Sequence, residues 1–219
     1  MKERPILFSG EMVRVILDGR KTQTRRVVTP QPNAGDADAS WPHDRSRLTF
    51  LDIIEKPEYY AACGWCRQGA PGDRLWVRET FFDYDAGEPA PRGATPLDHK
   101  VLIDERIEYR ATPWYHEFAD PEACGPWRPS IFMPRWASRI TLEITAVRVE
   151  RLQDINEADA IAEGCTGAHF ENAAEDYAPT DEYRKLWDSL NAKRGYGWKV
   201  NPWVWVIQFS KLETLSAAA

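Results

Sequence analysis

Apolar positions along the chain change period several times, and each change marks an element. Arg4 to Phe8 reads as a short lead-in strand. Met12, Val13, Ile16 and Leu17 then recur at helical spacing behind Ser9, which predicts a helix over about 10–18 with Ser9 as N-cap and Gly19 as its stop. Arg74 to Arg78 alternates after the turn signal Pro71-Gly72-Asp73, and Arg106 to Arg110 predicts another strand. The longest alternation runs from Ile140 to Leu152 and slips phase at Ala146-Val147, where a bulge or break is expected. Asp154 to Glu163 predicts a short helix capped near Asn156 and stopped by Gly164. Tyr183, Leu186, Trp187 and Leu190 give a better helix, capped by Thr180, and Trp203 to Phe209 a closing strand.

Between these elements the pattern fades. Residues 29–72 are rich in Pro, Gly, Asp and Ala, with a short strand expected near Leu48–Ile54, and 83–100 forms another polar loop. So long a weakly patterned stretch reads as an insertion or lid. The expected architecture is α+β: one domain over 1–215, mainly antiparallel β with peripheral helices, two long insertions at about 33–70 and 83–127, and a disordered tail at 216–219.

Composition narrows the classes. A mean hydropathy of −0.55 with no long apolar run predicts neither a membrane span nor a secretory signal, and so a cytoplasmic protein. The net charge of −6 argues against a coat for long nucleic acid, yet residues 1–30 hold seven Lys/Arg against three Asp/Glu. A local basic pocket on an acidic body fits a small anionic or nucleotide ligand. Four cysteines are too few for a disulfide framework; Cys63 and Cys66 have the gap of a zinc half-site but lack a second pair, so no metal is expected.

Candidate chemistry concentrates in Asp18-Gly19-Arg20-Lys21-Thr22-Gln23-Thr24-Arg25-Arg26, four cations and two hydroxyls at a helix-to-strand connection. A Lys beside a Thr hydroxyl can serve as general base to a nucleophile; a basic loop that holds a phosphate or caps a helix is the plainer reading. Glu163 falls at a helix C-terminus, where the dipole disfavours a carboxylate unless a cation such as Lys21 lies beside it. Arg135 and Trp136 sit in a Pro-rich segment, and Arg194, Tyr196 and Trp198 in a Gly-rich loop before the last strand. The Gly-rich loop suits a planar base or a corner packed on its own aromatics, and the Pro-rich segment a ligand-facing role or a surface ion pair. No phosphate-binding loop, dinucleotide fingerprint, nucleophile elbow or zinc-protease motif occurs, so no cofactor is expected.

Gly19 to Arg25, Gly72 to Glu79 and Ile155 to Gly164 together resemble the ASCH family, whose fold is a β-barrel similar to the RNA-binding PUA domain. Pro129 to Trp136 and Asn201 to Trp205 look like a phage or prophage branch of it. One small bacterial branch hydrolyses acetylcytidine with a Lys, a Thr and a Glu. The resemblance implies Thr24 as nucleophile, Lys21 as its base and Glu163 orienting Lys21 or the substrate amide. Arg20, Arg25, Arg135, Trp136, Arg194, Tyr196 and Trp198, read from the basic stretch and the two aromatic-bearing segments, are the expected substrate-binding residues, for a modified nucleoside or single-stranded RNA. Other members are a ribonuclease or binders only, so a non-catalytic RNA-binding module and a ribonuclease stand as alternatives.

Overall fold

A computed structural model describes residues 1–31, 50–83, 107–111, 127–167 and 178–212. Strand β1 (Glu3–Leu7) leads into α1 (Gly10–Leu17), where the Ser9 hydroxyl accepts the amide of Met12 as an N-cap should. Gly19, at φ +75°, turns the chain into β2 (Gln23–Val27). Helices α2 (Phe50–Glu55) and α3 (Pro57–Ala62) precede β3 (Arg74–Arg78). A short hairpin-like pair follows, β4 (Phe81–Asp83) with β5 (Ile107–Tyr109). The long strand β6 (Thr141–Arg151), α4 (Glu157–Ala162), α5 (Pro179–Asn191) and β7 (Trp203–Lys211) complete the fold.

Five strands form one sheet in the order β1-β3-β6-β7-β2, antiparallel except for the parallel β1–β3 pair. The fold is therefore mixed, with few helices around a mainly antiparallel sheet. The phase slip in β6 is a register shift between Ile144 and Ala146 against β7. Beyond it, directly opposed residues share a face. Val147, Ile207 and Thr24 line one face; Arg148, Val206 and Arg25 line the other.

Each face has its own apolar core. On the Thr24 side, Val147, Val149, Trp205 and Ile207 pack with Ile6, Phe8, Val13 and Ile16. On the Arg25 side, Val204 and Val206 pack with Ala160, Cys165, Tyr183 and Trp187, so α4 and α5 cover that face. A third cluster, Phe81, Ile107, Tyr109, Met133 and Ala137, fastens the small sheet.

Two expectations are corrected. The strand expected near Leu48–Ile54 is helical from Phe50 onward, because a short apolar run does not decide between the two periods and packing does; Ile53 is buried in the main core with Tyr60 and Ala61. Thr180 is not the cap of α5. Pro179 occupies the first turn, where its missing N–H costs nothing, and Ala178 is the cap residue. The tail at 216–219, the loop over 84–100, Trp41, Trp114 and Cys124 lie outside the described residues.

Candidate functional site

The basic stretch and the end of α4 meet in space. Gly164 has φ +97°, and a Cβ there would lie 3.0 Å from Val15 Cγ1 and 3.7 Å from Lys21 Cβ. Only a residue without a side chain lets the C-terminus of α4 close on α1 and Lys21 this tightly. The backbone follows: the Lys21 amide donates to Val15 O at 3.1 Å and the Thr22 amide to Ala162 O at 2.9 Å.

Lys21 Nζ donates to the Glu163 carbonyl at 2.6 Å and to its Oε2 at 2.9 Å, across 142 positions of sequence. Both residues are nearly closed to solvent, Lys21 at 4% and Glu163 at 3% exposure. Burial pushes the Lys21 ammonium below the usual lysine range, and the facing Glu163 carboxylate opposes that shift without cancelling it. The amine also lies 5.7 Å from the centroid of the Phe8 ring, on the Thr24 face of the sheet.

Glu163 is shared. Arg25 Nη1 donates to its Oε1 at 3.4 Å, while Arg25 Nη2 donates to Glu150 Oε1 and, at 2.9 Å, to Asp159 Oδ2. Arg148 closes the network on Glu150 and Asp159. Burial alone would raise the Asp159 carboxyl; Arg25 and Arg148 overcome it and hold it below the usual range. Asp159 and Glu163 stand four apart on α4, so one helix face presents both carboxylates to Arg25. Tyr183 lies under the Arg25 guanidinium at 5.8 Å, its phenol pushed well up by burial and by Glu163.

Thr24 is 2% exposed on β2. Strand alternation puts it opposite Arg25, on the face with Phe8 and Arg26. No hydrogen bond joins its hydroxyl to Lys21 or Glu163. Lys21 precedes β2 rather than lying on it, which frees its amine to reach over Phe8 toward the Thr24 face.

The other expected residues disperse. Arg20 is exposed and paired with Asp18 at 3.0 Å. Arg135 pairs with Glu3 at the start of β1, the opposite end from Phe8. Trp136 packs against the third cluster. Arg194 Nη1 donates to Asn191 Oδ1, the Tyr196 carbonyl accepts from Trp187 Nε1 at 2.7 Å, and the Trp198 ring packs on Tyr183 at 6.5 Å. Those aromatics close a loop onto α5; Trp198 is a packing residue first.

Phe8, Asp159, Glu150, Arg148 and the full role of Arg26 were not singled out from sequence. The i, i+4 pair on α4 and the i, i+2 pair Arg148/Glu150 on β6 are the signals that could have found the network. Phe8 carries no such signal. Among the described residues, no cluster of His, Cys, Asp or Glu could hold a metal ion; Cys63 is exposed and Cys66 buried against Gln68. Comparison with protein-family models, curated proteins and solved structures returned no match to this chain.

Proposed function

We propose that this protein is an amidohydrolase acting on an acylated nucleoside of the acetylcytidine type. The observation that carries the reading is the buried Lys21–Glu163 contact at 2.9 Å, which holds a lysine of lowered proton affinity beside a threonine-bearing strand. Neutral Lys21 takes the proton of the Thr24 hydroxyl as its oxygen attacks the amide carbonyl. The tetrahedral species collapses, the C–N bond breaks, and the Lys21 ammonium returns its proton to the departing amine. Water then releases the acid from Thr24 by the same base. Glu163 stabilises the ammonium between the two proton transfers, and Arg25 fixes Glu163.

The same reading takes the sheet as the PUA-like barrel of the ASCH family. In its support, the edge strands β1 and β2 approach through side chains: Arg26 Nη2 donates to Leu7 O at 3.1 Å and its guanidinium lies 5.4 Å from the Phe8 centroid. Among the described residues no ladder joins those edges.

The test is a substrate panel. Wild-type protein is incubated with acylated nucleosides and with labelled RNA, and products are separated by chromatography. Release of cytidine and acetate supports the reading. Intact nucleosides with cleaved RNA favour a ribonuclease, and intact nucleosides with salt-sensitive RNA binding favour a reader.

A further inference from the structure

Cations and carboxylates alternate along one path from the surface to Lys21. Arg148 Nη2 donates to Asp159 Oδ1 and Oδ2 at 3.0 and 2.9 Å, and its Nε to Glu150 Oε2 at 2.9 Å. Arg25 Nη2 holds the same two carboxylates from the inner side, and Arg25 Nη1 reaches Glu163, which holds Lys21. The outer end is open and the inner end closed: the Arg148 side chain is 34% exposed, that of Arg25 0%. Arg148 and Glu150 stand two apart on β6, so strand alternation gives them one face; Asp159 on α4 and Glu163 at its C-cap stand four apart.

Arg25 is divided between the two ends of that path. Its guanidinium lies 2.9 Å from Asp159 but 3.4 Å from Glu163, so the outer carboxylates already hold it more closely. Among the described residues its Nε has no hydrogen-bond partner, so the three carboxylates and the Tyr183 ring set its orientation. Arg148 meets the charge of Asp159 and Glu150 from the far side. Without it, both would draw Arg25 with undivided charge, and Glu163 would be left to Lys21. A carboxylate with one cationic partner favours the charged amine, which is the wrong state for a base. Cys165 beyond α4 and Arg26 on β2 also bear on the amine, and Tyr183 of α5 bears on Glu163. The variants below leave all three in place.

We propose that Arg148, acting through Asp159, Glu150 and Arg25, is a positioning residue that keeps Glu163 shared between two cations and so holds Lys21 ready as a base. For catalysis this rests on the amidohydrolase reading above; for the charge path it does not. Arg148 is the most exposed member of the path and bonds to neither Lys21 nor Glu163. Its influence carries a sign that a packing role lacks. Loss of the outer cation in Arg148→Gln turns Arg25 outward and raises the proton affinity of Lys21. Loss of an outer anion in Asp159→Asn turns Arg25 toward Glu163 and lowers it.

The test is the titration of Lys21 in the intact chain carrying isotope-labelled lysine, followed by NMR, with the Lys21 signal assigned from its absence in Lys21→Ala. Wild type, Arg148→Gln, Arg148→Lys and Asp159→Asn are compared, each checked for a native circular dichroism spectrum. The midpoint should rise in Arg148→Gln and fall in Asp159→Asn. At a fixed pH below the midpoints, the neutral fraction of Lys21 should drop roughly threefold or more in the first and climb in the second. Arg148→Lys, which keeps charge but loses the fork, should stay closer to wild type. Midpoints that move the same way in Arg148→Gln and Asp159→Asn, or move in neither, overturn the proposal. Should Arg148→Gln not fold, an unmoved or raised midpoint in Asp159→Asn overturns it alone. Acetate release from acetylcytidine is measured in parallel. Opposed midpoint shifts without turnover sink the hydrolase reading and leave the charge path; turnover with unmoved midpoints does the reverse.

Discussion

Glu163 is the residue on which the site depends, because its carboxylate faces two buried cations from different parts of β2 and its approach. Removing it leaves Lys21 and Arg25 short of a partner in a closed environment. Glu163→Ala should therefore lower unfolding free energy by about 3–5 kcal/mol in denaturant titration, the range for breaking a buried pair from one side. Glu163→Gln separates charge from packing. In wild type, burial lowers the Lys21 ammonium while Glu163 favours it; Arg26 opposes the charged form and the Cys165 thiolate would favour it. General-base activity should rise with pH, with a midpoint below the ordinary lysine value of about 10.4. In Glu163→Gln the opposing carboxylate charge is gone, so the midpoint should move lower still while the plateau rate falls. A midpoint that stays put or rises in that variant would show that Lys21 is not the titrating base.

At the scale of elements, α4 delivers Glu163, and its two ends should be separately breakable. Asn156 Oδ1 accepts the Asp159 amide at 2.8 Å; Asn156→Ala should cost about 1 kcal/mol. Gly164→Ala adds a side chain at φ +97° and against Val15, so it should destabilise by more than the roughly 0.4–1 kcal/mol that Gly→Ala gains where the backbone tolerates it. It should also displace Glu163 and reduce activity out of proportion to stability, measurable by comparing residual rate with the folded fraction. These caps were legible in the sequence because capping is local: Ser9, Gly19, Asn156 and Gly164 each act on a neighbour a few residues away. The strands β3 and β6 were legible by alternation. What was not legible depends on contacts across long separations. Ile53 chooses helix because a core receives it, and Arg25 is a buried network centre only because β6 supplies Glu150 and α4 supplies Asp159. A basic stretch looks alike in sequence whether its cations face solvent, as Arg20 does, or carboxylates, as Arg25 does.

At the scale of the whole molecule, the sheet separates two chemistries: a balanced ionic network under α4 and α5, and a face with Thr24, Phe8 and Arg26 beside the Lys21 amine. The Cys165 thiol, pushed up to about 12 by burial and by Glu182, belongs to the packed side. In a Cys124→Ser background, maleimide should modify exposed Cys63 quickly and reach Cys66 and Cys165 only on unfolding, read by peptide mass spectrometry. Rapid native labelling of Cys165 would contradict the packing of α4 and α5 on the sheet. The division also explains why the variants of the central test should fold: Lys21→Ala leaves Glu163 its Arg25 contact, and Thr24→Ala deletes only a small polar group. The measurement is the initial rate of acetate release from acetylcytidine by wild type, Lys21→Ala and Thr24→Ala, each checked for a native circular dichroism spectrum. The account predicts turnover by wild type and a loss of about 100-fold or more in both folded variants. Wild-type protein that releases no acetate, or a Thr24→Ala variant that releases it at the wild-type rate, would contradict it.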